Sequence, residues 1–449
     1  MVTKEKKQRL YKKILSEYKL LNDSVKGIQG DIGNVANVMI LAPVINLFVM
    51  WLLQEANKKN IKKLLFLARD GYPLYLVAKK YCELLKVDIE CKYFYCSRFS
   101  LRVPLYAKDK KETLNHVCRG GIDVTYHKVL CRSGLSESEI KDVFNSMETK
   151  YSLYETIPYS DLSTIREKLQ SNPYYWELVR NHSENAWNDI LAYFRQEGLY
   201  DDDISMAIVD SGWTGTTQKS LNKILSISGK KHELQGFYFG LFEIPDECDP
   251  DTYFSFYFSP KTRMLRKLFF NNCFFENVLS ANHGTTMGYT LSKGRMEPIL
   301  GDLLINNTKK SEIFINTLME YTDSLLESID KQLFSEREIY EMIDKLSISL
   351  AALMWNPCKE EALYYGSLMF SDDVLDNNIQ DLAARLSQMQ LFDNHLLSRI
   401  LYLWGVKTKS IKESAWYEGS AVLEEKFSLY HRCSYTAYKL CTYIKKGIR

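Results

Sequence analysis

Short apolar runs alternate with amphipathic stretches along the first half of the chain, and this pattern predicts strands that alternate with helices. The runs lie at residues 64–67, 92–96, 206–209 and 234–242, and helical spacing of apolar positions follows at 74–85 and 218–225. The runs at 64–67 and 206–209 lack polar alternation, which is typical of strands buried on both faces of a parallel sheet. We therefore predict an α/β fold with a mostly parallel sheet.

The rest of the chain has mainly helical spacing. We predict a charged helix at 3–28, an apolar helix at 38–53, a mostly helical insertion at about 104–200 and a helical region from 308 onwards. The apolar helix is shorter than the roughly 20 residues that span a bilayer and contains Asn46, so we expect it to be buried in the protein. We divide the chain into an α/β domain at 1–300, with its N-terminal helices and insertion, and a helical C-terminal domain at 301–449.

The segment after the run at 206–209 has the composition of a phosphate-binding loop. Asp210 ends the run, and two glycines and four hydroxyl groups precede the next helix. A dianion bound there would meet free backbone N–H groups and the positive end of a helix dipole. An ordinary strand-to-helix turn with a threonine cap has the same pattern. The candidate anion-binding residues are Ser211, Gly212, Trp213, Thr214, Gly215, Thr216 and Thr217.

A second strand-to-helix turn, Arg69-Asp70-Gly71, combines a cation, a carboxylate and a glycine. Arg69 could bind a diphosphate, Asp70 could bind a magnesium ion or a hydroxyl group, and Gly71 would let the backbone approach closely. An arginine and aspartate pair at a strand end is also common as a purely structural feature. Taken together, the two turns predict a site for a substrate that carries two separated phosphates. Ligands of parallel sheets bind beyond the carboxyl ends of the strands, where both turns fall.

Composition narrows the classes of partner. The net charge of +2 on 449 residues gives no overall basic field, so we expect no nucleic-acid partner. The ten cysteines form no Cys-x-x-Cys pair and the N-terminus is polar, which favours a reducing cytoplasm, with at most peripheral contact at the inner face of the cell membrane. Because the seven histidines form no His-x-x-x-His pair, we expect any metal to be a hard cation held by oxygen.

The stretch at 207–217 resembles the phosphoribosyl diphosphate loop of type I phosphoribosyltransferases. It departs at Val209, where that family has the first of two acids. A wider set of segments resembles a bacterial surface-polysaccharide family, whose members are usually labelled as predicted hydrolases of the haloacid dehalogenase superfamily. The later segments of that family are similar to the phosphoribosyltransferase part of systems that install ribofuranose in bacterial glycans. The matching segments are FLARDG at 66–71, YCSRFSLR at 95–102, VDSGWTG at 209–215 and ENVLSANHG at 276–284.

The hydrolase label does not suit these residues. A phosphatase of the dehalogenase type needs a nucleophilic aspartate two positions before its acid-base aspartate. Ala68 stands where that nucleophile would precede Asp70. We therefore expect no phosphatase chemistry from this chain.

The resemblance implies a sheet of type I phosphoribosyltransferase-like topology and a magnesium-dependent transfer. The phosphoribofuranosyl group would pass from phosphoribosyl diphosphate (PRPP) to a sugar hydroxyl of a bacterial glycan or lipid-linked oligosaccharide. A separate phosphatase would then remove the phosphate, alongside glycosyltransferases of the same system.

Within this hypothesis Asp210 holds the ribose hydroxyls, and Arg69, helped by Arg98 or Arg102, neutralises the diphosphate with magnesium. Asp70 either holds the metal or deprotonates the acceptor hydroxyl, and the sequence leaves both roles open.

Glu276 and His283 lie in an aromatic, polar segment that could bind the acceptor sugar, although His283 could equally cap a helix. The rival function is a non-catalytic phosphate-binding subunit of a polysaccharide-assembly complex. The missing acid at Val209 favours that rival, whereas the presence of Arg69, Asp70, Arg98 and Asp210 together favours the enzyme.

Overall fold

A computed structural model of the protein describes residues 2–25, 31–121, 124–303, 305–329, 333–371, 379–404 and 411–447. Its centre is a five-stranded sheet in which all strands are parallel, in the order β2-β1-β3-β4-β5. Two small antiparallel hairpins, β6–β7 and β8–β9, lie outside this sheet. The strands are β1 Lys63–Leu67, β2 Glu90–Phe94, β3 Met206–Trp213, β4 Gln235–Leu241, β5 Tyr253–Phe258, β6 Thr286–Ser292, β7 Arg295–Leu300, β8 Met369–Ser371 and β9 Ile379–Asp381.

Helices make up most of the remainder, and several lie between consecutive strands of the sheet. Before the end of β3 they are α1 Lys4–Leu15, α2 Lys19–Asp23, α3 Ile32–Ala36, α4 Ala42–Lys58, α5 Gly71–Leu85, α6 Arg98–Arg102, α7 Lys110–Val117, α8 Tyr126–Cys131, α9 Glu137–Asn145, α10 Leu162–Ser171 and α11 Pro173–Gln196. After it they are α12 Thr216–Ile227, α13 Met264–Phe269, α14 Asn272–Leu279, α15 Ile305–Ser328, α16 Glu336–Met354, α17 Lys359–Gly366, α18 Gln388–Asp393, α19 Leu396–Leu403, α20 Tyr417–Leu423 and α21 Ser428–Gly447.

The strand order places a topological switch between β1 and β3. The chain leaves β1 through α5 to β2 on one side, and β3 pairs with β1 on the other side. In open parallel sheets a crevice forms outside the carboxyl ends of the strands at such a switch. Asp70, just after β1, and Asp210, near the end of β3, therefore lie at the edge where a ligand is expected to bind.

The predicted mostly parallel α/β sheet is confirmed, while several boundaries differ. β1 and β4 agree with the predicted runs to within one residue, and β2 begins and ends two residues earlier than predicted. The N-terminal helix predicted at 3–28 is two helices, α1 and α2, separated by a turn; residues 26–28 lie outside the described part of the chain. The aromatic strand β5 and the two hairpins were not predicted.

The apolar helix predicted at 38–53 is part of a longer helical segment. It runs from Ile32 through a π-helical turn, Asn37–Leu41, to Lys58, and its most apolar 18-residue window is entirely buried in the protein. This segment is long and apolar enough to cross a membrane, but here it packs as a core helix. The polar Asn46 is satisfied inside the core, because its amide donates to the Ala42 carbonyl at 2.9 Å and to Thr322 Oγ1 at 3.1 Å, and its Oδ1 accepts from Tyr81.

The largest hydrophobic cluster joins the N-terminal helices, one face of the sheet and helices from the second half of the chain. Phe48 of α4 packs on Phe239 of β4, with ring centroids 5.6 Å apart, and Phe274 of α14 packs on Trp416 at 5.0 Å. The insertion has a hydrophobic cluster of its own, which includes Val143. The predicted domain boundary at residue 300 stays a prediction.

Candidate active site

A cavity of about 410 Å³ opens at the carboxyl edge of the sheet. Its lining comes from the ends of β1, β2 and β3, from α14 and the segment after it, and from α15 and β8 in the second half of the chain. Its volume is in the range of small-molecule sites, and its position agrees with the topological switch.

The turn after β1 brings a cation and a carboxylate into this cavity. Arg69 and Asp70 both line it, and the peptide bond between Ala68 and Arg69 is cis. Asp70 is also the N-cap residue of α5, but its side chain does not cap the helix. The positive end of this helix dipole therefore lies beside the cavity without a side-chain acceptor.

The prediction of a loop after Val209 is wrong for the first residues of that segment. The strand β3 continues through Asp210 and ends at Trp213. Gly212 is required in the strand: its φ is +133°, and an added Cβ would lie 1.9 Å from the Gly240 carbonyl oxygen of β4. Its glycine therefore serves close strand pairing rather than a phosphate loop.

Only Thr214 and Gly215 separate β3 from α12, whose N-terminus also has no side-chain cap. The hydroxyl-bearing residues Thr214, Thr216 and Thr217 line the cavity. Gly215, the N-cap residue, adopts the left-handed conformation with φ of +60°, which glycine reaches without the strain that a side chain would bring. Two uncapped helix N-termini, of α5 and α12, thus flank one cavity, as an anion with two phosphate groups would need.

Three acidic side chains converge on the cavity. Burial and, after it, the negative charge of Glu276 raise the pKa of Asp70 to about 7. Burial raises the pKa of Asp210 well above its usual range, and the charges of Asp70 and Glu276 raise it further. Burial also raises the pKa of Glu276, against the opposing effect of Arg98. Burial therefore makes ionisation of each of the three carboxyl groups less favourable, and a bound cation would offset this effect.

Two neighbours in β3 orient these carboxyl groups. Ser211, which is buried, donates a hydrogen bond from Oγ to Asp70 Oδ2. Trp213 donates from its indole Nε1 to Glu276 Oε1. Asp210, which precedes Ser211 on β3, lines the same cavity. The acidic cluster is thus fixed by hydrogen bonds from the strand that carries Asp210.

His283 lines the cavity with both ring nitrogens already engaged. Nδ1 donates to the carbonyl of Gly284 at 2.8 Å, which leaves Nε2 to accept from the Tyr93 hydroxyl at 2.6 Å. Burial lowers the pKa of the imidazole, which is consistent with this neutral form. The ring also packs on Tyr95, with centroids 5.2 Å apart. In this arrangement His283 shapes the wall and does not offer a free nitrogen for proton transfer.

Three arginines line the cavity: Arg69, Arg98 and Arg119. The third lies in the predicted insertion and was missed, because its local sequence has no strand-to-helix turn. Arg102 was predicted as donor-binding, but it is buried behind Arg98 and does not line the cavity.

The wall opposite the strand ends carries neutral hydrogen-bonding groups. Asn307 holds this wall together, because its amide donates to the Met369 carbonyl at 2.8 Å and accepts from the Met369 N–H at 2.7 Å. Asn277 and Asn282 belong to the segment 276–284 that carries the resemblance, whereas no local motif predicts the residues from 307 onwards, which tertiary packing brings to the cavity. The wall is lined by Asn272, Asn277, Asn282, Asn307, Thr308, Ser311, Met369, Phe370 and Ser371.

Most of the predicted site residues meet at this cavity. Four do not line it: Gly71, Arg102, Ser211 and Gly215. Gly71 packs tightly, since an added Cβ would lie 3.2 Å from the carbonyl carbon of Phe66. The predicted residues that line the cavity are Arg69, Asp70, Arg98, Asp210, Gly212, Trp213, Thr214, Thr216, Thr217, Glu276 and His283.

The acidic cluster fits a magnesium ion only in part. Carboxylate oxygens are suitable ligands, and the charge of Glu276 raises the pKa of both Asp70 and Asp210. Within the described residues, however, these three do not form a set of mutually close donor atoms; such a set occurs at His127, Cys131 and Glu137, which do not line the cavity. An Mg²⁺ ion would therefore need oxygens from a bound diphosphate as well, which is its usual mode.

Comparison with models of known protein families finds no match, and comparison with curated proteins finds none either. The chemistry of the cavity is therefore the guide to function.

Proposed function

We propose that the protein is a magnesium-dependent phosphoribosyltransferase that moves the phosphoribofuranosyl group of PRPP to a sugar hydroxyl of a glycan or lipid-linked oligosaccharide. The observation that carries the proposal is the pairing, in one cavity, of three acidic side chains with two uncapped helix N-termini and three arginines. In this proposal the sheet is an instance of the type I phosphoribosyltransferase topology.

Binding of the donor would use the positively charged groups of the cavity for the phosphates and Asp210 for the ribose. Transfer passes through an oxocarbenium-like state in which the bond to the leaving diphosphate loosens, so charge on that group must be neutralised. Arg69 and the N-terminus of α5 lie where they could do this, and the threonines at the start of α12 could hold the other phosphate. Asp210 could accept hydrogen bonds from the ribose hydroxyls.

Asp70 would hold the metal together with the donor's diphosphate, and Mg²⁺ would there supply positive charge for the leaving group. Its pKa of about 7 also suits a general base, which works best when its pKa lies near the operating pH. Ser211 favours the ionised form, because its hydroxyl donates to the carboxylate. The two roles of Asp70 remain alternatives within the proposal.

The acceptor would lie against the neutral wall. Amide and hydroxyl groups without net charge suit a sugar, and Glu276 could accept one of its hydroxyls. His283 would contribute shape rather than a proton. The rest of the proposal is a cytoplasmic location, with at most peripheral membrane contact, and a separate phosphatase that acts on the product.

The test is to incubate the protein with PRPP, Mg²⁺ and galactosyl or glucosaminyl acceptors, and to look by mass spectrometry for an added phosphopentose. We expect product from the wild type and from the control Asp88→Asn, whose side chain is 91% exposed, and none from Asp210→Asn. If PRPP binds but no acceptor is modified, the protein is better explained as a non-catalytic phosphate-binding subunit. If PRPP neither binds nor reacts, the donor is wrong.

A further inference from the structure

Two guanidinium groups reach the cavity from different elements of the fold. Arg98 is the first residue of α6, and Arg119 follows α7 in the insertion. Both line the cavity. Among the residues that the structure describes, neither side chain makes a hydrogen bond or an ion pair. Arginine presents five N–H donors, so two of them in one cavity leave many donors for a ligand.

The backbone that carries Arg119 is held by a buried arginine. Arg132 donates from Nη1 to the carbonyl of Arg119 at 2.5 Å and to that of Val117 at 3.4 Å. The carbonyl of Arg132 accepts in turn from the Tyr106 hydroxyl at 3.0 Å. Packing within the insertion therefore fixes the backbone position of Arg119.

Other positive charges gather near these two side chains, although Asp70, Asp210 and Glu276 interact with Arg98, and Glu243 interacts with Arg119. Arg102 lies one turn along α6 from Arg98, is 6% exposed, and has an Nε without a hydrogen-bond partner. Burial and the charge of Arg98 lower the pKa of Arg102 to about 10. Burial and the charges of Arg102 and Arg119 lower the pKa of nearby His116 to about 3. Like charges gathered in this way are unfavourable, and a bound anion would relieve them.

We infer that Arg98 and Arg119 together bind a phosphoryl group, so that the insertion supplies a donor-binding residue. The planar guanidinium forks match phosphate oxygens in geometry as well as in charge. The arginine pair adds to one of the two phosphate positions of the proposed function, which are that of Arg69 with the N-terminus of α5 and that of the threonines at the start of α12. The identity of the donor as PRPP rests on the proposed function, whereas the anion site itself does not.

The experiment measures binding of PRPP, ribose 5-phosphate and inorganic diphosphate by titration calorimetry. The variants are Arg119→Gln and Arg119→Lys, and the matched control is Arg180→Gln, an exposed arginine on α11 of the same insertion that does not line the cavity. We expect Arg119→Gln to weaken binding of at least one of the ligands about 10- to 100-fold, since a charge-assisted hydrogen bond contributes about 1.5–3 kcal/mol. Arg119→Lys should lie between, and the control should match the wild type.

The unfolding midpoint should not fall in Arg119→Gln, because the side chain has no hydrogen bond or ion pair to lose among the described residues. Equal affinity of Arg119→Gln and wild type for all three ligands would overturn the inference, even if the wild type transfers phosphoribosyl groups. If the wild type transfers no phosphoribosyl group but Arg119→Gln loses diphosphate binding, the result supports the arginine site and contradicts only the proposed function. If the wild type binds none of the three ligands, both fail.

Discussion

At the scale of single residues, the cavity concentrates groups that are costly for a folded protein. Asp70, Asp210 and Glu276 share a region where burial raises the pKa of each, and Arg98 and Arg119 make no hydrogen bond or ion pair in the described part of the chain. Structural ion pairs usually neutralise one another directly. Titratable groups that line a cavity with a strongly shifted pKa are more typical of a functional site.

Asp70 gives a pH-dependent stability that can be measured. A carboxyl group with a raised pKa in the folded state keeps a proton, between about pH 4 and pH 7, that the unfolded chain releases, so stability falls as pH rises through that window. Asp70→Asn should raise the free energy of unfolding at pH 8 by about 1–3 kcal/mol and change it little at pH 4. Denaturant titration at the two pH values measures this.

The control for this experiment is Asp88→Asn. Its carboxylate is exposed and its pKa is lowered by Lys62, so its removal should not stabilise the protein at pH 8. An Asp70→Asn protein no more stable than the wild type at pH 8 would contradict the raised pKa.

Some residues of the candidate site could be predicted from the sequence, and others could not. Asp70, Asp210 and Arg98 were predictable because each follows an apolar strand, and parallel strand ends meet at one edge. The pairing of Ser211 with Asp70 and of Trp213 with Glu276 was not, since both depend on how far β3 extends. Arg119 was not predictable at all, because only the packing of the insertion brings it to the cavity.

At the scale of elements, β3 differs most from its prediction. Glycine and hydroxyl residues after an apolar run are typical of a loop, yet residues 211–213 continue the strand. The physical reason is at Gly212, where the absence of a side chain allows β3 and β4 to approach closely. The phosphate loop is therefore reduced to a tight turn and the first turn of α12.

We predict that Gly212→Ala destabilises the protein by about 2–4 kcal/mol, because the new Cβ would clash with the Gly240 carbonyl and the residue would be held at a positive φ. The matched control is Gly294→Ala, in the turn between β6 and β7. Its φ is also positive, at +80°, but a Cβ there meets nothing within 4 Å, so backbone strain alone should cost about 1 kcal/mol. Equal losses in urea denaturation would show that the close approach to β4 is not what requires the glycine.

At the scale of the whole molecule, the second half of the chain completes both the core and the cavity. Tyr11 of α1 donates to Glu361 Oε1 at 2.6 Å, and Lys7 forms a buried ion pair with the same glutamate at 3.4 Å. Sequence patterns predicted the α/β order and the helical second half, but they could not predict such long-range partners. The division into two domains is accordingly the prediction that most needs a test.

A fragment of residues 1–303 provides that test. Without Glu361 the buried Lys7 would lose its partner, and Phe274 would lose its contact with Trp416. Breaking a buried ion pair by removing one partner costs about 3–5 kcal/mol, so we expect the fragment to lack a cooperative unfolding transition. Circular dichroism during urea titration measures this against the full chain. A cooperative transition in the fragment would instead support an independent α/β domain.

The most direct measurement of the central claim is calorimetric titration of PRPP into the protein at pH 7, with and without Mg²⁺. We predict binding that strengthens with Mg²⁺ and releases protons, seen as heats that depend on the ionisation enthalpy of the buffer, because the donor complex favours ionised Asp70. Asp210→Asn should weaken this binding, and Asp88→Asn should not. No binding of PRPP by the wild type, or equal binding by Asp210→Asn, would contradict the account.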